Sequence, residues 1–441
     1  MRRYAEPVVA VVDGRAISDR VVIYSVPAQM DDIEIIATLS EIMQEDSEHY
    51  RRAQQTASRA PMDFREVLLM HALAKPLGEV LSKQPEFAAG GFMIHQPNGG
   101  SGFHASEAAT ALLRRARKGE NPQRAVEWLT KVITTERANV LCVMALWGVS
   151  VNDRVQLGQG VELVPLEQVP PSRQRDRVLG PVEFTDIQFA APWMWKPPKA
   201  GLAVTACVDP FITKATTDEG SPAKDQLRYH NLLDDVRLGL TCVGPCAPLQ
   251  AASWFQYEDP DLEDAAVYKG TSGTLHEILP SGFEPEVSIN TADAQAVISA
   301  FLALSGKTLA RVRVSLERLN QALRRRAAGD YALELSIALE ALLAEGQGEN
   351  AYKVALRAGL LSADDAERRA ESRGIIGAVY SLRSALVHNG RAPEMVKVRG
   401  KGQLPATDIV QQGASITATV IREVIRRGEI PNWYALELNP L

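Results

Sequence analysis

From residue 291 onward, apolar side chains recur at the helical period. Leu309, Val312, Leu316, Leu319 and Leu323 step by three and four residues, which predicts one buried face of a helix. Gly329-Asp330 interrupts the pattern, and Leu335, Leu339, Leu342 and Leu343 predict a second helix. Further helices are expected over 350–361, 362–387 and 408–427. Five such helices with mostly short connections predict an antiparallel bundle. Upstream the period changes to two. Val155, Leu157, Val161 and Leu163 alternate with polar or small residues, as do Val182, Phe184, Ile187 and Phe189. Residues 202–208 and 236–241 continue the strand signal. Residues 1–150 are mixed: 63–81, 105–118 and 122–135 have helical spacing, with Pro76 expected to kink or split the first, and 98–102 reads as a glycine-rich loop. The expected fold class is an α+β N-terminal region over 1–290 followed by an all-α helical bundle over 291–441. The first part is divisible into a helix-rich 1–150 and a β-rich 151–290.

The chain has 441 residues, 46% of them hydrophobic and 23% charged, which excludes disordered, collagen-like and coiled-coil classes. Its longest nearly apolar stretch, 138–151, is too short to span a bilayer. The run Val8–Val12 stops at Asp13, so neither a signal peptide nor a membrane partner is expected. Four cysteines in so long a chain fit a reducing cytoplasm. The net charge of −6 is uneven: 20 Lys and Arg against 16 Asp and Glu from residue 291 onward give +4, leaving −10 for the first 290. A cationic module attached to an anionic one is compatible with a polyanion partner for the C-terminal part, and a solvated helix face explains the same charges.

Most candidate motifs have bland explanations. Cys242 and Cys246, with Cys207 and His230 nearby, lack the four-ligand spacing of a zinc site, so buried structural cysteines and no metal are expected. Gly100-Ser-Gly102-Phe-His-Ala105 matches a dinucleotide fingerprint but follows Pro97-Asn98 rather than a strand, and reads as a loop. Trp193 and Trp195 read as anchoring tryptophans. No cofactor is expected. The informative segment is Tyr380-Ser-Leu-Arg383-Ser-Ala-Leu-Val-His388-Asn-Gly. Arg383 and His388 stand about 140° apart on a regular helix. Asn389-Gly390 predicts the helix end, which puts His388 in the last turn, where the helix dipole favours the imidazolium.

With Glu340, Glu349 and Arg357 in order upstream, this segment resembles the Apea-like branch of the HEPN superfamily over about residues 306–430. The resemblance implies a HEPN-like bundle and a metal-independent endoribonuclease of bacterial antiphage-defence or toxin type. Its RNA substrate would be cut at a homodimeric site formed through the C-terminal bundle. Arg383 and His388 would be catalytic, supported by Ser384, Asn389, Glu340, Glu349 and Arg357, with the N-terminal region sensing a trigger that the sequence does not specify. Two positions depart from the family: Ser384 stands where many active members carry Asn, Asp or His, and Gly390 where nucleotidylation-controlled toxins carry Tyr. The alternative is a non-catalytic HEPN module that binds RNA, nucleotide or a partner protein.

Overall fold

The computed structural model describes residues 11–12, 15–16, 30–58, 64–97, 99–180, 196–215, 228–265, 286–345 and 350–438. They divide into two compact units. The first is drawn from Met1–Met93, Gly102–Glu136 and Ile212–Ala215, and the second from Ile94–Ser101, Arg137–Phe211 and Thr216–Leu441. Among the described residues no helix is long and apolar enough to cross a membrane.

The first unit is mainly helical. β1 (Val11–Val12) and β2 (Arg15–Ala16) pair antiparallel. They precede α1 (Asp32–Met43), α2 (Glu48–Ser58), α3 (Arg65–Lys83) and α4 (Pro85–Ala88). Along the chain follow β3 (Phe92–Gln96) and β4 (Gly99–Phe103), whose residues 94–101 count with the second unit, and then α5 (Ala105–Arg117) and α6 (Pro122–Thr134) of the first. α3 is one helix with Pro76 inside it, not two. Leu73, Ala74, Leu77 and Leu81 are buried on both sides of the proline, and their packing offsets a proline cost of about 3 kcal/mol. The glycine-rich segment expected as a loop is mostly strand β4, in which Ser101 and Phe103 alternate inward. Glycine hides this period-two signal because it contributes no side chain to read. Asn98 lies outside the described residues.

The second unit opens on a five-stranded antiparallel sheet. Along the chain come β5 (Ala138–Trp147), β6 (Val149–Ser150), β7 (Val155–Gly158), β8 (Val161–Pro165), α7 (Arg173–Leu179) and β9 (Ala200–Val208). β10 (Ile212–Lys214) belongs to the first unit, and the second continues with α8 (Arg228–Leu240), β11 (Leu249–Tyr257), α9 (Pro260–Ala265) and β12 (Val287–Ser288). The order is β11-β5-β9-β8-β7. The apolar run from Ala138 is therefore an interior strand, paired on both edges. Val143, Ala145, Val164, Leu166, Ala251 and Trp254 form a core on this sheet together with Val178 of α7. The alternation at 182–189, and Trp193 and Trp195, lie outside the described residues. The strand expected over 236–241 is instead the end of helix α8. Val236, Leu238 and Leu240 mimic a strand, but Leu232, Leu233, Val236 and Leu240 also fit the helical period, and that pattern wins.

The C-terminal part is helical, as its periodicity predicts. It comprises α10 (Thr291–Leu302), α11 (Gly306–Leu323), α12 (Ala328–Leu343), α13 (Asn350–Ser362) and α14 (Ala366–Asn389). A hairpin of β13 (Met395–Val398) and β14 (Gly402–Pro405) then leads into α15 (Ala406–Arg427) and α16 (Trp433–Leu438). α12 packs against α11, α13, α14 and α15, which explains why Leu335, Leu339, Leu342 and Leu343 are all fully buried. Gly413 permits the crossing of α15: a Cβ there would lie 2.8 Å from Val379 Cγ2 and 3.2 Å from Leu335 Cδ1.

The boundary expected at residue 290 is not where the structure divides. Leu238 and Cys242 belong to the same buried cluster as Leu316, Leu335 and Ile421. The buried Asn320 amide donates to Thr241 Oγ1 (3.3 Å) and to the Pro248 carbonyl (3.2 Å). Helical bundle and sheet share one unit because α8, which precedes β11 in sequence, completes the core of the bundle.

Candidate functional site

α14 starts at Asp365, whose side chain accepts from Arg368 N–H, and ends at Gly390 in the left-handed region with φ 71°. That stop needs a residue without a Cβ, and the Gly390 N–H bonds back to the Leu386 carbonyl at 2.9 Å. Arg383 and His388 therefore both stand on regular helix, His388 in its last turn as expected.

Arg383 is anchored. Its Nη1 donates to Glu340 Oε1 at 2.8 Å, and the Tyr380 hydroxyl donates to the same oxygen at 3.0 Å. The guanidinium lies 5.7 Å from the Tyr380 ring centroid. The Arg383 side chain remains 32% exposed and that of Glu340 25%, so the ion pair is reachable by solvent and ligand. Tyr380 is nearly buried; burial first, and the Glu340 charge next, push its phenol well above the usual value. The phenol therefore stays protonated and acts as a fixed donor to Glu340. His388, Ser384 and Asn389 are exposed. By the helical repeat of about 100° per residue, Val387 and Ser384 fall in the arc between Arg383 and His388. Val387 is 61% exposed, and Met395 of the following hairpin 48%.

The residues expected to support the pair do not all gather there. Glu340 does. Glu349 lies outside the described residues. Arg357 is buried at the C-terminal end of α12, where its Nη1 donates to the Leu343 carbonyl at 2.6 Å and its Nε to Glu437 at 2.8 Å. Its guanidinium lies 4.9 Å from the Trp433 ring. No contact between Arg357 and Arg383 occurs among the described residues. Arg311 joins Arg357 and is not singled out by the sequence: it donates to the carbonyls of Ala341, Leu342 and Ala344. Tyr380 as a partner of Glu340 was also missed, although its place three residues before Arg383 puts the two on neighbouring positions of one helix face.

Cys242 and Cys246 are buried and free, each donating its thiol to a backbone carbonyl. Burial raises the Cys242 thiol to about 12. Among the described residues no group of three or more His, Cys, Asp or Glu is placed to hold a metal ion. His104 caps α5 through a reciprocal box with Glu107. The arrangement at the end of α14 offers one positioned cation, one exposed imidazole and an apolar contact between them. Compared with family models, curated proteins and solved structures, the chain matches none.

Proposed function

We propose that the chain is a cytoplasmic, metal-independent endoribonuclease of antiphage-defence or toxin type, with a HEPN-like bundle and Arg383 and His388 as its catalytic residues. The observation that carries this reading is the end of α14: an arginine held by the carboxylate of a neighbouring helix, and an open histidine about one and a half turns later. RNA supplies its own nucleophile. A base takes the 2′-hydroxyl proton, the freed oxygen attacks the adjacent phosphorus, and the bond to the 5′ oxygen breaks as that oxygen takes a proton from an acid. His388 is suited to the proton transfers. Arg383 is suited to the negative charge of the pentacoordinate phosphorus, where charge-assisted hydrogen bonds are strongest.

Geometry supports a dimer. Arg383 and His388 are separated by about 140° and about 7.5 Å along one helix, so one copy does not turn both onto a single phosphate. A second copy packed on the Val387 face brings its own pair to the same place and covers the exposed valine. The N-terminal unit then serves as the sensing or regulatory part.

The test uses the purified full chain. Cleavage of RNA is expected to persist in EDTA, to leave a 2′,3′-cyclic phosphate and a 5′-hydroxyl, and to spare DNA. Arg383→Ala and His388→Ala should each lower it at least about a hundredfold, and light scattering should give a dimer. Undiminished cleavage by the His388 variant, or strict dependence on added magnesium, overturns the proposal. A second reading, a non-catalytic module that binds RNA, nucleotide or a partner protein, is favoured by Ser384, whose neutral hydroxyl offers little to proton transfer. Tight RNA binding without cleavage would select it.

A further inference from the structure

Within the second unit, α10, α15 and the connection from α13 to α14 border a cavity of about 600 Å³. Part of its lining is apolar. Val297 and Ala300 of α10 and Leu360 of α13 face it and are only partly covered by the core they pack against. The rest of the wall is charged: the arginines Arg369, Arg422, Arg426 and Arg427 stand against the acids Asp364 and Glu423, a net charge of +2. Thr419, Arg422 and Arg426 step by three and four residues along α15, which turns them to the same side of that helix.

The four arginines are not equivalent. Glu423 holds two of them: Arg426 donates to both its oxygens at 2.8 and 2.7 Å, and Arg427 to one of them at 2.7 Å. The Arg426 hydrogen bond above all keeps the Glu423 carboxyl below its usual value, so these charges satisfy one another. Arg369 donates to the Ala363 carbonyl at 2.8 Å. Arg422 is different. It is half-buried and donates to the Val243 carbonyl at 3.0 Å and to Thr419 Oγ1 at 3.1 Å. Among the described residues both of its acceptors are neutral, and a guanidinium has further donors to give. A cation drawn partly out of water beside no carboxylate loses hydration, which a bound anion offsets through charge-assisted hydrogen bonds. A bare inorganic anion would leave Val297, Ala300 and Leu360 wet, and a hydrocarbon would leave Arg422 unmatched. A volume near 600 Å³ suits a small organic ligand.

We propose that this cavity binds a small carboxylic acid with an apolar chain, its carboxylate on Arg422 and its chain against Val297, Ala300 and Leu360. Neither Arg383 nor His388 lines the cavity, so the site stands apart from the nuclease reading.

Calorimetric titration of the full chain with octanoate, octanamide and acetate tests it, with no RNA present. Octanoate should bind at least about tenfold more tightly than the neutral amide, a difference of about 1.4 kcal/mol. It should exceed acetate, which lacks the chain, by at least about tenfold as well. Arg422→Gln should weaken octanoate at least about tenfold and leave octanamide unchanged. Arg422 also ties α15 to Val243, so a second variant tests the cavity without touching that tie. Ala296→Trp adds a large ring to the cavity wall from an exposed position on α10. It should abolish octanoate binding while urea denaturation stays as in wild type. The proposal is overturned by absence of octanoate binding at millimolar concentration, or by octanoate affinity that is indifferent to Ala296→Trp. Equal affinity for octanoate and octanamide, or octanoate affinity unchanged in the Arg422 variant, would overturn the carboxylate assignment and the proposal with it.

Discussion

The last turn of α12 meets arginines in two different ways. Arg357 is 6% exposed and has a backbone carbonyl, a carboxylate and an aromatic face as partners. Arg383, which reaches the same turn through Glu340, keeps about a third of its side chain in solvent and shares its carboxylate with a tyrosine. Both are arginines on helices of one bundle, and the family resemblance groups them. Burial separates them. A guanidinium enclosed by protein acceptors closes a helix end, whereas one fixed on a single side keeps donors for something else. The comparison assigns Arg357 to architecture and leaves Arg383 with donors that no other described part of the bundle takes up.

The largest expected effect comes from breaking the architectural arginine. Arg357→Ala removes a buried guanidinium and leaves the Leu343 carbonyl without that donor, a loss of about 1–3 kcal/mol, while the exposed Glu437 returns to solvent. Urea denaturation of the full chain should show the transition that reports the second unit moving to lower denaturant. Arg383→Ala, at a third-exposed pair, should cost under about 1 kcal/mol. Equal losses for the two variants would erase the distinction drawn between them.

A smaller effect sharpens the functional side. Glu340→Gln keeps the shape of the side chain but removes the charge that orients Arg383. Stability should change by less than about 1 kcal/mol, while RNA cleavage should fall about tenfold, the equivalent of about 1.4 kcal/mol of transition-state stabilisation. Glu340→Asp, which restores the charge on a shorter stem, should recover part of the loss. Full activity in the glutamine variant would mean that Arg383 needs no carboxylate to hold it.

Much of this bundle is legible in the sequence, because Leu309 through Leu343 repeat at 3.6 and Gly390 marks a helix end. The pairing of Glu340 with Arg383 is legible only as co-occurrence; 43 residues separate them, and no local pattern states that α12 and α14 touch. The Arg311–Arg357–Trp433 cluster is not legible at all, since it joins three segments whose common feature is the end of α12. Periodicity also misleads where short. Val236-Arg-Leu-Gly-Leu240 satisfies a strand and a helix alike, and only the cluster with Phe301 and Leu316 decides between them. The same helix dissolves the boundary at 290, so a fragment beginning at residue 291 would lack Leu238 and Cys242 from its own core.

The smallest effect is a pH dependence that reports the Tyr380–Glu340 contact directly. Tyr380 has its phenol raised above the ordinary 10, first by burial and then by the Glu340 charge. Above pH 10 the unfolded chain releases a proton that the native chain keeps, so stability falls as pH rises, by about 1.4 kcal/mol per pH unit for each such group. Tyr257 and Tyr331 are raised by burial in the same direction, and the buried thiols add to the slope, but these contributions are common to wild type and variant. Tyr380→Phe removes one group only. At pH 8 it should cost about 1 kcal/mol, for one hydroxyl donating to a carboxylate that still holds Arg383. Between pH 8 and pH 11 it should lose about 1.4 kcal/mol less than wild type, so the two proteins converge or cross. Urea midpoints at the two pH values measure this difference. Parallel losses would mean that the phenol titrates normally in the native state, and that Glu340 holds Arg383 without it.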